Sequence, residues 1–134
     1  MATYSGFGFD YTFTADVDLS SNQWFLVTTA STAGNVKVAT GGSGPIAIGV
    51  LQDDPTAGEA AAVRVLGTTK VWANGGTAIS YGDYVVSNAS GHAAVEASAS
   101  STAAGIALEA LSSGCGYIEM LLLPGAATHA DNVP

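Results

Sequence analysis

The sequence predicts an all-β domain, and three observations carry that prediction. Short runs alternate apolar and polar residues, as in Val36-Lys37-Val38, Val63-Arg64-Val65 and Ile118-Glu119-Met120. A period of two puts one set of side chains inward and the other toward solvent. Gly-, Ser-, Asn- and Asp-rich punctuation separates the runs at roughly the 8–12-residue spacing of sandwiches and barrels. No window of helical length carries an i, i+3, i+4, i+7 apolar stripe with charged flanks. The expected architecture is a compact single-domain fold, sandwich or barrel-like, with an extended N-terminal arm.

Residues 1–15 make the arm. Tyr4, Phe7, Phe9, Tyr11 and Phe13 alternate there with small and polar residues, and they are five of the chain's nine Phe and Tyr. Aromatic anchors give much contact area for little entropy, which marks these five as candidate contacts with a partner. The same alternation equally suits a strand added to the chain's own sheet. Residues 16–124 form the β-domain. Strands are expected at 23–29, 35–40, 46–52, 61–67, 69–73, 83–88, 92–97, 105–111 and 117–123. Turns fall at 41–45, 74–76, 80–83 and 112–116, each with glycine for positive-φ positions. The Ala-rich segment 96–105 lacks an apolar face and reads as a loop, and the polar, proline-bounded tail 125–134 is expected to be loose.

Composition narrows the function. At 134 residues and 13.3 kDa the chain is one domain, 48% hydrophobic but only 10% charged. That balance describes an ordered protein with a plain surface, of the kind a partner covers. The net charge is −8, and Lys37, Arg64 and Lys70 are its only Lys or Arg residues. Nucleic-acid binding needs clustered cations, so that class is excluded. Cys115 stands alone and makes no internal disulfide. The first residues have neither a basic nor an apolar region of a secretory signal, and the longest apolar run, "MLLLPGAA", is too short to span a bilayer. The expectation is a soluble protein made in a cytoplasm.

Candidate chemistry is sparse. Asp53, Asp54 and Glu59 offer oxygen ligands, but "DDPTAGE" lacks the spacing of a calcium loop, and a hairpin connection is the better reading. Cys115 with His92 or His129 as base lacks any local feature that would lower the thiol pKa. Asp16 with Asp18, or Asp83 with Glu96, would be a carboxylate pair of glycosidase type. Trp24, Trp72, Tyr81 and Tyr84 would be a sugar-stacking platform, although both Trp residues sit in strongly apolar runs. The glycine-rich "GGSGP" and "GFGF" join no strand to a helix and so do not cradle phosphate. The chain reads as a non-enzyme with no cofactor and no metal.

Two segments echo one another. "AIGVLQDDPTAGEAAAVRVL" and "AAGIALEALSSGCGYIEMLLL" each set two glycines nine residues apart, 49 and 58, then 105 and 114, ahead of a strand. Similar hairpins would produce this. The order of elements over 46–124 also resembles the small capsid decoration, or cement, proteins of tailed bacteriophages. The resemblance lies in Gly49-Val50, Ala57-Gly58-Glu59, Val63 to Gly67, Gly82-Asp83 with Val85, Gly105 to Leu108, and Tyr117 to Leu123. It implies a compact β-domain of β-tulip type on the outside of an expanded phage head, commonly a homotrimer at threefold and quasi-threefold positions. There it bridges neighbouring major capsid proteins, often with a terminal arm over the capsid surface, and needs no catalysis. The alternative reading is a carbohydrate- or receptor-binding β-module displayed on the virion; a hydrolase using Cys115 or an acidic pair comes third.

Overall fold

The computed structural model describes residues 7–41, 46–74, 76–95, 102–112 and 115–123. Among them there is no helix, and nine strands form one continuous hydrogen-bonded system. In chain order these are β1 (Phe7–Ala15), β2 (Leu26–Thr29), β3 (Asn35–Val38), β4 (Gly49–Leu51) and β5 (Ala60–Asn74). They continue as β6 (Tyr84–Ser87), β7 (Ala93–Val95), β8 (Gly105–Ala107) and β9 (Cys115–Leu122). The fold is all-β and barrel-like.

The pairings close into two five-stranded rings that share β5. Ring one runs β1-β3-β2-β4-β5 and returns to β1; ring two runs β5-β7-β6-β8-β9 and returns to β5. The first pairing of each ring, β1–β3 and β5–β7, is parallel, and all the others are antiparallel. The second ring therefore repeats the topology of the first. The echo noted in the sequence is this repeat: Gly49 opens β4 and Gly105 opens β8, the fourth strand of each ring. A Cβ on either would meet the carbonyl of the facing strand, Arg64 for Gly49 and Leu121 for Gly105.

Each ring has its own core. Ala15, Leu19, Val27, Val36, Leu51, Ala61 and Val63 fill ring one. Val71, Ala73, Val85, Ala93, Ala107, Ile118, Met120 and Leu122 fill ring two, joined by Leu26, Ala39 and Val50. Those last three come from ring one and face the opposite way from Val27 and Leu51, which explains why β4 is buried on both faces. Ring one thus roofs ring two.

Several boundaries differ from the sequence expectation. The strands expected at 61–67 and 69–73 are one fifteen-residue strand, β5, since Gly67 bends the chain at φ +99° without ending it. The strand expected from residue 23 starts at Leu26, because Trp24 has φ +73° and leaves the extended region. Strand β8 stops at Ala107, after which Leu108 donates its N–H to the Glu119 carbonyl at 2.8 Å. Residues 7–15 of the arm are β1, in register with β5 along nearly its whole length. Tyr4, most of the 96–105 loop and the 125–134 tail lie outside the described residues.

Candidate functional site

The most distinctive surface is one face of β1, β5 and β9. Val65 is an extra residue on β5: the register steps from Phe9↔Leu66 to Asp10↔Arg64. A bulge of this kind reverses which side chains of the bulged strand share a face. Before it, Ala61 and Val63 point into ring one; after it, Thr69, Val71 and Ala73 point into ring two. The face that lines ring one therefore continues past the bulge as outer surface, carrying Leu66, Thr68, Lys70 and Trp72. Cross-strand partners share a face, so β9 adds Leu121, Glu119 and Tyr117 opposite Thr68, Lys70 and Trp72.

The four described arm aromatics all lie on this face of β1, where they form a graded row. Phe7 is 85% exposed, Phe9 56% and Tyr11 54%; Phe13 is half-buried against the ring-one core, and Ala15 ends the row fully inside. Tyr11 and Phe13 have ring centroids 4.8 Å apart. Leu66, opposite Phe9, is also exposed. Few soluble surfaces present so many large apolar side chains together unless something covers them.

Beyond Leu66 the face becomes a clasp between the rings. Lys70 Nζ lies 4.8 Å from the Trp24 ring centroid and 4.7 Å from that of Tyr117, and Trp72 meets Tyr117 edge-on at 4.9 Å. Trp24 comes from ring one and its carbonyl accepts the Trp72 N–H at 2.9 Å. Two of the sugar-platform aromatics are thus together, but a lysine of the chain itself sits against Trp24. Tyr81 is exposed and Tyr84 half-buried on β6.

Glu119 corrects the reading of Ile118-Glu119-Met120. The alternation places its side chain off the core, yet it is only 2% exposed, and its Oε2 has no hydrogen-bond partner. Its backbone N–H donates to Glu109 Oε1 at 2.8 Å. Burial pushes its carboxyl above the ordinary value of 4.5, and Glu109 adds to this; a hydrogen bond from Thr68 and the charges of Arg64 and Lys70 work the other way. Between pH 4.5 and the folded value the folded protein therefore holds more of this proton than the unfolded chain does. The stability this group contributes is complete below pH 4.5 and is lost as pH rises through the folded value. Glu119→Gln is expected to match wild type at pH 4 and to be more stable at pH 7, by about 1 kcal/mol, the scale of a buried unsatisfied acceptor. Chemical unfolding at both pH values checks this; equal stability at pH 7 would refute it.

The other candidate residues serve their own turns. Asp53 accepts the Ala62 N–H, and Glu59 accepts the Thr56 N–H at 2.8 Å, closing the β4–β5 hairpin. Partial burial raises the Asp53 carboxyl, whereas the Thr56 bonds lower that of Glu59. Asp16 holds Asn35, Asp18 holds Ser20 and Asp83 holds Ser80. Cys115 is exposed at the start of β9, opposite Asn74, and the His92 ring packs edge-on against Phe25. Glu96 and His129 lie outside the described residues. Sequence reasoning missed Leu66 as a neighbour of the arm, and Lys70 and Tyr117 as neighbours of Trp24 and Trp72, because only the long-range packing brings them together.

The double-ring all-β fold has a counterpart among solved structures. It is similar to the N-terminal base of head fiber gp8.5 of bacteriophage phi29, with a TM-score of 0.62 and 18% sequence identity, covering 90% of this chain and 98% of that one. The chain itself belongs to the phage cement protein family, whose pattern matches residues 5–122. No curated protein matches it. Family membership gives it a structural, virion-associated role, stabilising a capsid with a capsid protein as partner.

Proposed function

We propose that this protein binds the outer surface of an expanded phage head and ties neighbouring major capsid proteins together, as a homotrimer at threefold and quasi-threefold positions. The observation that carries the reading is the exposed aromatic row of β1, with Phe7, Phe9 and Tyr11 held outward on a paired strand in a protein of the cement family. Aromatic side chains fixed in this way bind at little further entropic cost. Contacts repeated by symmetry add through avidity, so each can be modest. A ligand that binds only the expanded lattice stabilises that lattice by mass action. The role calls for no reacting group.

Heads assembled without the protein are expected to rupture several degrees below heads saturated with it, with Phe7→Ser/Phe9→Ser protein giving no protection. Light scattering during a thermal ramp measures this. Identical rupture temperatures with and without wild-type protein would overturn the reading.

A further inference from the structure

The row of aromatics occupies one face of β1, but the strand also has an open edge. From Phe7 to Phe13 it pairs on one side with β5; β3 reaches it only at Thr14 and Ala15. Among the described residues nothing pairs with the other edge of 7–13. Direction can be assigned from the bonds at either end. Phe7 and Ala15 donate their N–H groups toward β5, to Thr68 Oγ1 and the Glu59 carbonyl, whereas Thr14 donates the opposite way, to Gly34. Alternation along an extended strand then turns the N–H groups of Gly8, Asp10 and Thr12 to the open edge. Natural edge strands are blunted by lysine, proline or inward charge. This one has neither Lys nor Pro, and Asp10, its sole charge, is paired with Arg64.

Resting on the cement reading above, we infer that the open edge of β1 takes up an extended segment of the major capsid protein as an added strand. Backbone bonds to residues 8, 10 and 12 would hold it. Its side chains on the aromatic face would lie beside Phe7, Phe9 and Tyr11 and be apolar; those on the other face would meet Gly8, Asp10 and Thr12 and be small or polar. Charge selects between the two candidate occupants. A second copy pairing its own β1 antiparallel about residue 10 would set Asp10 opposite a like-charged Asp10, whereas a neutral or basic segment meets no such repulsion.

The test uses the full-length protein and expanded heads assembled without it. Hydrogen exchange of the wild type, free and head-bound, is read over residues 7–13, and Thr12→Pro is assayed for head binding. Proline at 12 removes an edge-facing N–H and none of those bonded to β5. The inference expects slowed exchange at Gly8, Asp10 and Thr12 on binding, and at least tenfold weaker binding by a Thr12→Pro protein that melts within a few degrees of wild type. Unchanged exchange at these amides in bound protein overturns it, whether or not the variant folds, and leaves the cement reading standing. Protection already present in the free protein and growing with concentration assigns the edge to a second copy and also overturns it. Failure of the wild type to bind heads at all removes both readings.

Discussion

Gly67→Ala is expected to lower the stability of the domain by about 3 kcal/mol, combining a positive-φ penalty with an overpacking penalty. Gly67 has φ +99°, and a Cβ there would run into the Phe7 carbonyl and the Gly8 Cα. The substitution strikes where β5 passes from ring one to ring two. Thr68, the next residue, is registered with both Phe7 on β1 and Leu121 on β9. Neither strand can shift to make room without losing its register with β5. Gly76 is the control. Its φ of +76° has the same sign, but a Cβ there meets nothing within 4 Å. Gly76→Ala should lose only about 1 kcal/mol, the backbone contribution alone. Thermal melts of both variants separate the two effects: at this chain length the Gly67 variant should fall by roughly 10 °C and the Gly76 variant by a few degrees. Equal losses would mean that the close approach of β1 to β5 is not a constraint.

The same glycine shows what can and cannot be read from this sequence. Alternation located most strands because one face of each is buried, and burial imposes a period of two on local sequence. Gly67 looks like a terminator in "VRVLGTTKV" because glycine usually ends strands; that it bends a continuous one depends on β1 and β9 meeting at Thr68, a long-range register with no local signature. Ring closure is invisible for the same reason. The repeat was legible as Gly49 and Gly105 because a close backbone approach demands glycine in both rings. Glu119 was misplaced because alternation reports only which face a residue shares. It does not report whether other groups of the chain cover that face, as they do at Glu119. The alternation of the β1 aromatics is legible in the sequence, but their pairing with β5 is not, since an alternating segment suits a strand and a docking arm equally well.

Trp24 supplies the sharpest remaining test of the double ring. It is the one non-glycine among the described residues with positive φ. Ring two carries Gly82 at the equivalent place. Trp24 donates to the Leu51 carbonyl and Leu51 to that of Phe25; Gly82 donates to Ala107 and Ala107 to Asp83, all at 2.8–3.0 Å. The turn itself therefore asks for glycine, and the tryptophan is retained against a backbone cost of about 1 kcal/mol. Its compensation lies in packing on the ring-two core and in the Lys70 ammonium over its ring. Truncation should cost about 2–3 kcal/mol, less than a fully buried tryptophan because Trp24 is only half-buried. The order of the two truncations is the discriminating result. Trp24→Gly is expected to be more stable than Trp24→Ala by about 0.5–1 kcal/mol, since alanine keeps the left-handed strain without the ring while glycine, despite its looser unfolded state, relieves it. At an ordinary exposed position glycine loses to alanine. Urea unfolding of the two variants reads the sign directly, and alanine winning would mean that the strain at residue 24 relaxes once the indole is gone.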